Sequence, residues 1–188
     1  MTPTRQEAFS LLTRYTHSES LIKHALSVEG VMRHFASLYG EDVEKWGVIG
    51  LIHDLDYEQY PEQHCHMTYK ILCEEQYPED YIRAVMSHGW GICTDTEPEP
   101  LMENVLYTID ELTGLITAAV LVRPSKSIFD LEVRSVKKKW NQKGFAAGAN
   151  REVIEQGAMR MGKDLDYVIG ETIAGMKAVA ATIGLAGE

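Results

Sequence analysis

A chain of 188 residues has the size of one ordinary domain and is long enough to bury a substantial core. Its 18 Lys plus Arg against 28 Asp plus Glu leave a net charge of −10, which argues against binding a nucleic-acid polymer or an anionic membrane with the molecule as a whole. No apolar leader opens the sequence, the longest apolar run (115–122) falls short of the roughly 20 residues of a membrane span, and Cys65, Cys73 and Cys93 form no CxxC pair, so a soluble cytoplasmic protein with reduced thiols is expected.

Thr2 followed by Pro3 reads as a helix cap with proline at the first helical position, and Ala8, Leu11, Leu12 and Tyr15 supply an apolar stripe. Ser18 can cap a longer helix in which Leu21, Ala25, Val28, Met32, Phe35 and Leu38 recur at three- and four-residue steps, with Gly40 as its stop. His24 shares the inward side of that helix with Val28, Val31 and Phe35, whereas His34 projects away from it and His17 precedes the cap. Residues 42–55 repeat the pattern through Val43, Trp46, Ile49, Leu51 and Ile52, which places His53-Asp54 near a helix end. Two shorter helices are predicted over 66–76 and 79–88, then a loop over 89–100 rich in Gly, Pro, Thr and acidic residues. Asn104 is the predicted cap of the most apolar helix, 105–122, which Pro124 terminates. A basic segment (127–139), a Gly/Ala-rich turn (144–150) and helical stretches over 151–161 and 164–183 complete the chain. Nothing alternates for long with strand periodicity, so the expected fold is all-α, in one domain over 1–188.

Adjacent His and Asp on a helix point about 100° apart, so both serve one ion only where the helix is ending or the ion lies beside its axis. His53-Asp54 meets that condition. Asp110 falls within the very apolar stretch 106–116, where a bare carboxylate is costly to bury unless a cation is shared with it. Together with His24 these groups make a mixed nitrogen and oxygen set suited to one or two ions of Mn, Fe, Zn, Ni or Co, with Mg less natural.

The order His24, His53-Asp54, Asp110 on successive helices resembles the HD-domain superfamily of metal-dependent phosphohydrolases, over roughly residues 18–122 and most closely in the stretch 51–58. The likeness is to the small stand-alone HD-domain proteins in particular. It implies an HD-type helical bundle with a metal-ligand core at 18–122 and a basic and C-terminal segment at 123–188. It also implies hydrolysis of phosphate esters of small metabolites or nucleotides. Some branches add two histidines between the His-Asp pair and the last Asp to hold a second metal, with the Asp of the pair bridging. His64, His66 and His88 lie in that interval, and His88 and His64 are the favoured ligands, since His64 and His66 must face different sides of a helix.

Phosphate also calls for positive charge. Residues 1–122 carry 7 basic and 20 acidic side chains (−13), residues 123–151 carry 8 and 2 (+6), and residues 152–188 carry 3 and 6 (−3). Arg123 and Lys126, at the end of the Asp110 helix, are therefore the candidate substrate-binding pair, aided by Ser125 and Ser127. Lys137–Lys139 read as a solvated face, and Lys143 and Arg151 complete the basic set. In the expected mechanism a metal acidifies water, the hydroxide attacks a phosphoryl group held by Arg123 and Lys126, and Asp54 is ligand and proton acceptor. Asp56 and Glu58 are placed to orient a ligand or water. Two alternatives remain: a diiron oxygenase using the six-ligand set, and a non-catalytic sensing or scaffold module stabilised by metal. Met159, Met161, Ile169, Ile173 and Met176 face either the core or a second subunit in a homo-oligomer, and helical spacing favours the core.

Overall fold

A computed structural model describes residues 2–142 and 144–187; among them are nine α-helices, one 3-10 turn and no β-strand, the all-α fold expected. The first helix, α1 (Arg5–Tyr15), starts later than Thr2-Pro3 suggests because Thr4 and Glu7 form a capping box. The Glu7 carboxylate accepts from the Thr4 N–H at 2.8 Å and the Thr4 hydroxyl accepts from the Glu7 N–H at 3.3 Å. Three residues after Thr2 stands Arg5, which has no acceptor to return.

Helix α2 (Glu19–Tyr39) runs 21 residues and stops at Gly40, whose φ of 71° only glycine adopts at little cost. Asp42 caps α3 (Val43–Ile52) by accepting from the Lys45 N–H at 3.0 Å. The two helices approach closely at Gly50, where a Cβ would stand 2.9 Å from Met32 Cγ and 3.1 Å from the Val28 carbonyl oxygen. That approach brings the end of α3 toward the first turns of α2.

After the 3-10 turn Pro61–Gln63 come α4 (His66–Glu74) and α5 (Glu79–Ser87). Helix α6 (Leu101–Leu121) begins three residues before the predicted cap. Asn104 does not cap it: its side-chain amide donates to the Glu99 and Pro100 carbonyls and its oxygen accepts from Arg160. The most apolar window of α6 has a mean hydropathy of 1.2, enough by length and composition to cross a membrane, but 67% of that window is buried inside the protein. It packs against α2, α5, α8 and α9 as the central helix.

The basic segment forms α7 (Val133–Trp140), a helix not foreseen from its charge-rich pattern, with only Val136 buried. Helices α8 (Arg151–Arg160) and α9 (Leu165–Ala178) follow, α9 ending five residues short of expectation. Beyond it the chain folds back, and the Ile128 N–H donates to the Leu185 carbonyl at 2.8 Å. Helix α9 lies close on α2, since a Cβ at Gly175 would come 2.7 Å from Val31 Cα. Val28, Val31 and Phe35 of α2, Ile49 and Ile52 of α3, Leu106, Ile109 and Leu112 of α6, and Ile169 and Met176 of α9 are all buried in one continuous core. Each side chain of this size contributes about 1.5–3 kcal/mol by leaving water. Of the five residues that faced either core or partner, four are buried, and Met159, 73% exposed, points outward.

Candidate metal centre

Helix α3 ends at Ile52, and His53, its C-cap, is the last residue in helical conformation before the turn that carries Asp54. Leaving the helix there lets both side chains face one point. The His53 ring is wholly buried, with Nε2 3.2 Å from Asp110 Oδ1 and 3.2 Å from His24 Nε2; His24 Nε2 is 2.9 Å from Asp110 Oδ1. Asp54 Oδ2 faces this group, 3.4 Å from His53 Nε2 and 3.7 Å from His24 Nε2. Its other oxygen, Oδ1, turns to a second set: it is 3.3 Å from His88 Nε2 and 3.6 Å from His64 Nε2, which lie 3.2 Å from each other. The candidate ligands thus form two clusters sharing Asp54.

All four rings are oriented from outside. Nδ1 of His53 donates to the Gly50 carbonyl at 2.8 Å, and Nδ1 of His88 to the Val85 carbonyl. Nδ1 of His64 donates to Asp56 Oδ1 at 2.8 Å, and Nδ1 of His24 lies 3.5 Å from the Thr113 hydroxyl, which itself donates to the Asp110 carbonyl. With the proton on Nδ1, every Nε2 presents a lone pair inward, the form a metal requires. Asp54 Oδ1 is buried and has no hydrogen-bond partner. Four converging lone pairs, two carboxylates and an orphaned oxygen repel one another unless protons or cations intervene, so the residues fit divalent transition metals. Without metal, protons fill part of that role. Burial disfavours an imidazolium at His53, yet Asp54 and Asp110 outweigh it and hold its pKa well above the ordinary histidine value. Burial likewise disfavours ionised Asp54, but His53 and His88 pull its pKa well below the carboxylate range.

The family model of the HD domain matches residues 21–122, over half of the chain and the span of all six candidate ligands. The chain belongs to the HD domain family. No curated protein and no solved structure matches it.

In this HD domain the sequence-predicted ligands His24, His53, Asp54, His64, His88 and Asp110 are therefore all brought together, and the favoured His64 is the one inside while His66 is exposed. The substrate-binding pair is not. The centre opens into a cavity of about 490 Å³ walled by Leu21, Ile92, Gly114, Ala118 and Ala149, and no Lys or Arg is among its described lining residues. Asp110 lies in the middle of α6, and the chain rises roughly 16 Å from there to the helix end at Leu121, so Arg123 and Lys126 beyond it are carried away from the cavity. Arg123 instead donates to the Asp130 carboxylate at 3.0 Å and to its carbonyl at 3.1 Å. Lys126 sits at a positive φ of 45° in the following turn. Ser125 accepts from the Ser127 N–H, and Ser127 donates to the Ala186 carbonyl, so both hydroxyls serve the loop. Lys137 pairs with Asp166, and Arg151 donates to the carbonyls of Trp140, Phe145, Ala146 and Ala149, pinning the turn whose Ala146 and Ala149 wall the cavity. Lys143 lies outside the described residues.

Of Asp56 and Glu58, both expected to orient a ligand or water, one does so. Asp56, fully buried, is the residue that orients His64, and its Oδ2 accepts from the Thr68 N–H at 2.8 Å. Glu58, by contrast, accepts from the N–H groups of His17 and Ser18 and so anchors the start of α2. Where reduced thiols were expected, Cys65 and Cys93 are joined, across 28 positions of sequence, and Cys73 alone is free. The link ties the residue after His64 to the loop that follows His88, and Gly89 makes room for it: a Cβ there would stand 2.3 Å from Cys93 Sγ and 2.7 Å from Cys65 Sγ. Their spacing in sequence held no signal for this pairing. Glu111 also lines the cavity; burial raises its pKa, opposed by the hydrogen bond from the Asn150 N–H.

Proposed function

We propose that this HD domain protein is a dinuclear metal-dependent phosphohydrolase acting on a phosphorylated small molecule. One observation carries the proposal: Asp54 directs one oxygen to His24, His53 and Asp110 and the other to His64 and His88, a carboxylate placed to bridge two ions. His24, His53, Asp110 and Asp54 Oδ2 would hold the first ion, and His64, His88 and Asp54 Oδ1 the second. When bound, a pair of divalent ions supplies positive charge to a phosphoryl group and lowers the pKa of water toward neutrality. The chain's own residues do the rest. Asp54, held ionised by the surrounding imidazoles, would offer one oxygen to each ion, which is its catalytic role. The outward hydrogen bonds of the four rings keep the ligands preorganised, and the apolar walls from Leu21, Ile92 and Ala118 limit water around the reacting group. Because the described cavity wall has no Lys or Arg, anion binding would fall to the ions.

Loading the protein with Mn(II) and assaying 4-nitrophenyl phosphate and a panel of phosphate esters tests the proposal. The expected result is two ions per chain and turnover that falls by more than about 100-fold in Asp54→Ala, beyond the usual effect of losing a residue that only supports a ligand. Full turnover in that variant would refute it. The same apolar, cation-poor wall suits the second reading, a diiron oxygenase, and turnover that stops under nitrogen and consumes dioxygen would select that reading instead.

A further inference from the structure

The metal cavity is open on the side of His24. A second cavity of about 680 Å³ continues from it, and His24 and Gly114 line both. Its walls come from the first turns of α2, the C-terminal half of α6 and the turn Ile183–Leu185, none of which contributes a metal ligand apart from His24.

We propose that this second cavity is a sugar-binding subsite, so that the substrate is a sugar phosphate whose phosphoryl group lies at the metals and whose hydroxylated part extends past Gly114 toward Lys23. The proposal rests on the phosphohydrolase function and names its substrate class. The lining carries donors and acceptors side by side. Lys23 Nζ, with three N–H donors, stands 2.5 Å from the acceptor-only carboxylate of Glu19. The Ser27 hydroxyl donates to the Lys23 carbonyl at 2.8 Å, leaving its oxygen able to accept, and the hydroxyls of Ser18 and Ser20 are 2.9 Å apart. Thr117 adds one more hydroxyl. A second phosphate or a carboxylate offers acceptors only and would face Glu19 unfavourably; each sugar hydroxyl both donates and accepts, and can use either partner. Leu121, Ile183 and Leu185 complete the wall with apolar surface suited to the C–H face of a sugar ring.

Lys23 is held at this mouth by the chain's own backbone. A Cβ at Gly184, whose φ is +74°, would stand 3.2 Å from Nζ, so the ammonium rests against the turn. Glu19 is 82% exposed, and an ion pair that open to water is weak enough for a ligand hydroxyl to enter. Gly114 controls the passage. Nothing lies within 4 Å of a Cβ built on it, so a larger side chain would project into the junction without meeting protein. In an exposed helical position it would also be a better helix former than glycine.

The test uses two hydrolysis-resistant probes on the Mn(II)-loaded protein, the methylenephosphonate of ribose 5-phosphate and methylphosphonate, which differ by the sugar. Calorimetric titration is expected to show the sugar probe binding at least about tenfold tighter. Gly114→Leu, closing the junction, and Lys23→Ala, removing the donor, should each reduce that ratio toward one. A ratio near one in the unmodified protein, or a ratio unchanged in both variants, would overturn the subsite. The expected ratios together with no turnover of ribose 5-phosphate would support the subsite and refute hydrolysis.

Discussion

Replacing Asp56 with asparagine tests how the second ion is held, because the substitution keeps the shape and changes only what the two outer atoms can do. The Asp56 carboxylate accepts twice, from His64 Nδ1–H and from the Thr68 N–H, both at 2.8 Å. An asparagine amide can accept with only one of those atoms. If its oxygen stays on the Thr68 N–H, the NH₂ faces His64, which must then accept at Nδ1 and carry its proton on Nε2, the tautomer that cannot bind metal. If the oxygen faces His64 instead, NH₂ and the Thr68 N–H oppose each other in a fully buried place, costing about 1–3 kcal/mol for the unsatisfied donors. The first outcome weakens binding of the ion at His64 and His88 by about 10–100-fold, the usual effect of losing a ligand's supporting partner, and leaves the ion at His24, His53 and Asp110 in place. Calorimetric titration of the metal-free protein should therefore resolve two binding steps, of which only the weaker moves in Asp56→Asn, and denaturant unfolding should show any loss of stability. Two unchanged binding constants with unchanged stability would refute the reasoning.

Reduction of the Cys65–Cys93 link, or Cys93→Ser, should lower the stability of the protein by about 2–4 kcal/mol and selectively reduce occupancy of the His64–His88 ion, read by thermal unfolding and metal analysis in the presence and absence of reductant. Arg123→Ala should leave kcat/KM for any substrate within about twofold and cost under about 1 kcal/mol, because the side chain serves an ion pair with Asp130 away from the cavity; a large rise in KM would return Arg123 to the substrate. The pH dependence should differ in sign between metal-free and metal-loaded protein. At His64 burial is outweighed by Asp56 and Asp54, so its pKa in the folded metal-free chain is raised above 6.5. That stabilisation is complete below 6.5 and is lost as pH rises through the folded value. The metal-free Tm should thus fall on going about two units above 6.5, whereas the metal-loaded Tm should rise, because metal and proton compete for the same nitrogen. Parallel curves would contradict this.

Every described helix but α7 was legible in the sequence because helical periodicity is a local property, and the candidate ligands were legible from chemical type and, for His64 and His88, from the family resemblance. Val28, Val31 and Phe35 marked the inward side of α2 and with it His24, and a carboxylate at Asp110 among apolar neighbours signalled a cation. Helix starts were less secure: Thr4 displaced Thr2 because Glu7 returns its hydrogen bond, and α6 starts after Pro100, which makes no side-chain cap, while the Asn104 side chain is engaged by Glu99, Pro100 and Arg160. What only the tertiary structure decided depends on the direction in which distant segments leave the core. Proximity in sequence to the Asp110 helix suggested that Arg123 and Lys126 reach the site, but α6 extends past it and carries them off its far end. The meeting of Cys65 with Cys93, and the choice of His64 as the ring that Asp56 orients, arise where the loops after α3 and α5 converge. Charge and spacing along a chain carry no information about such convergence, because it is set by how the close approach of α2 to α3 and the packing of α5 on α6 turn those loops toward one point.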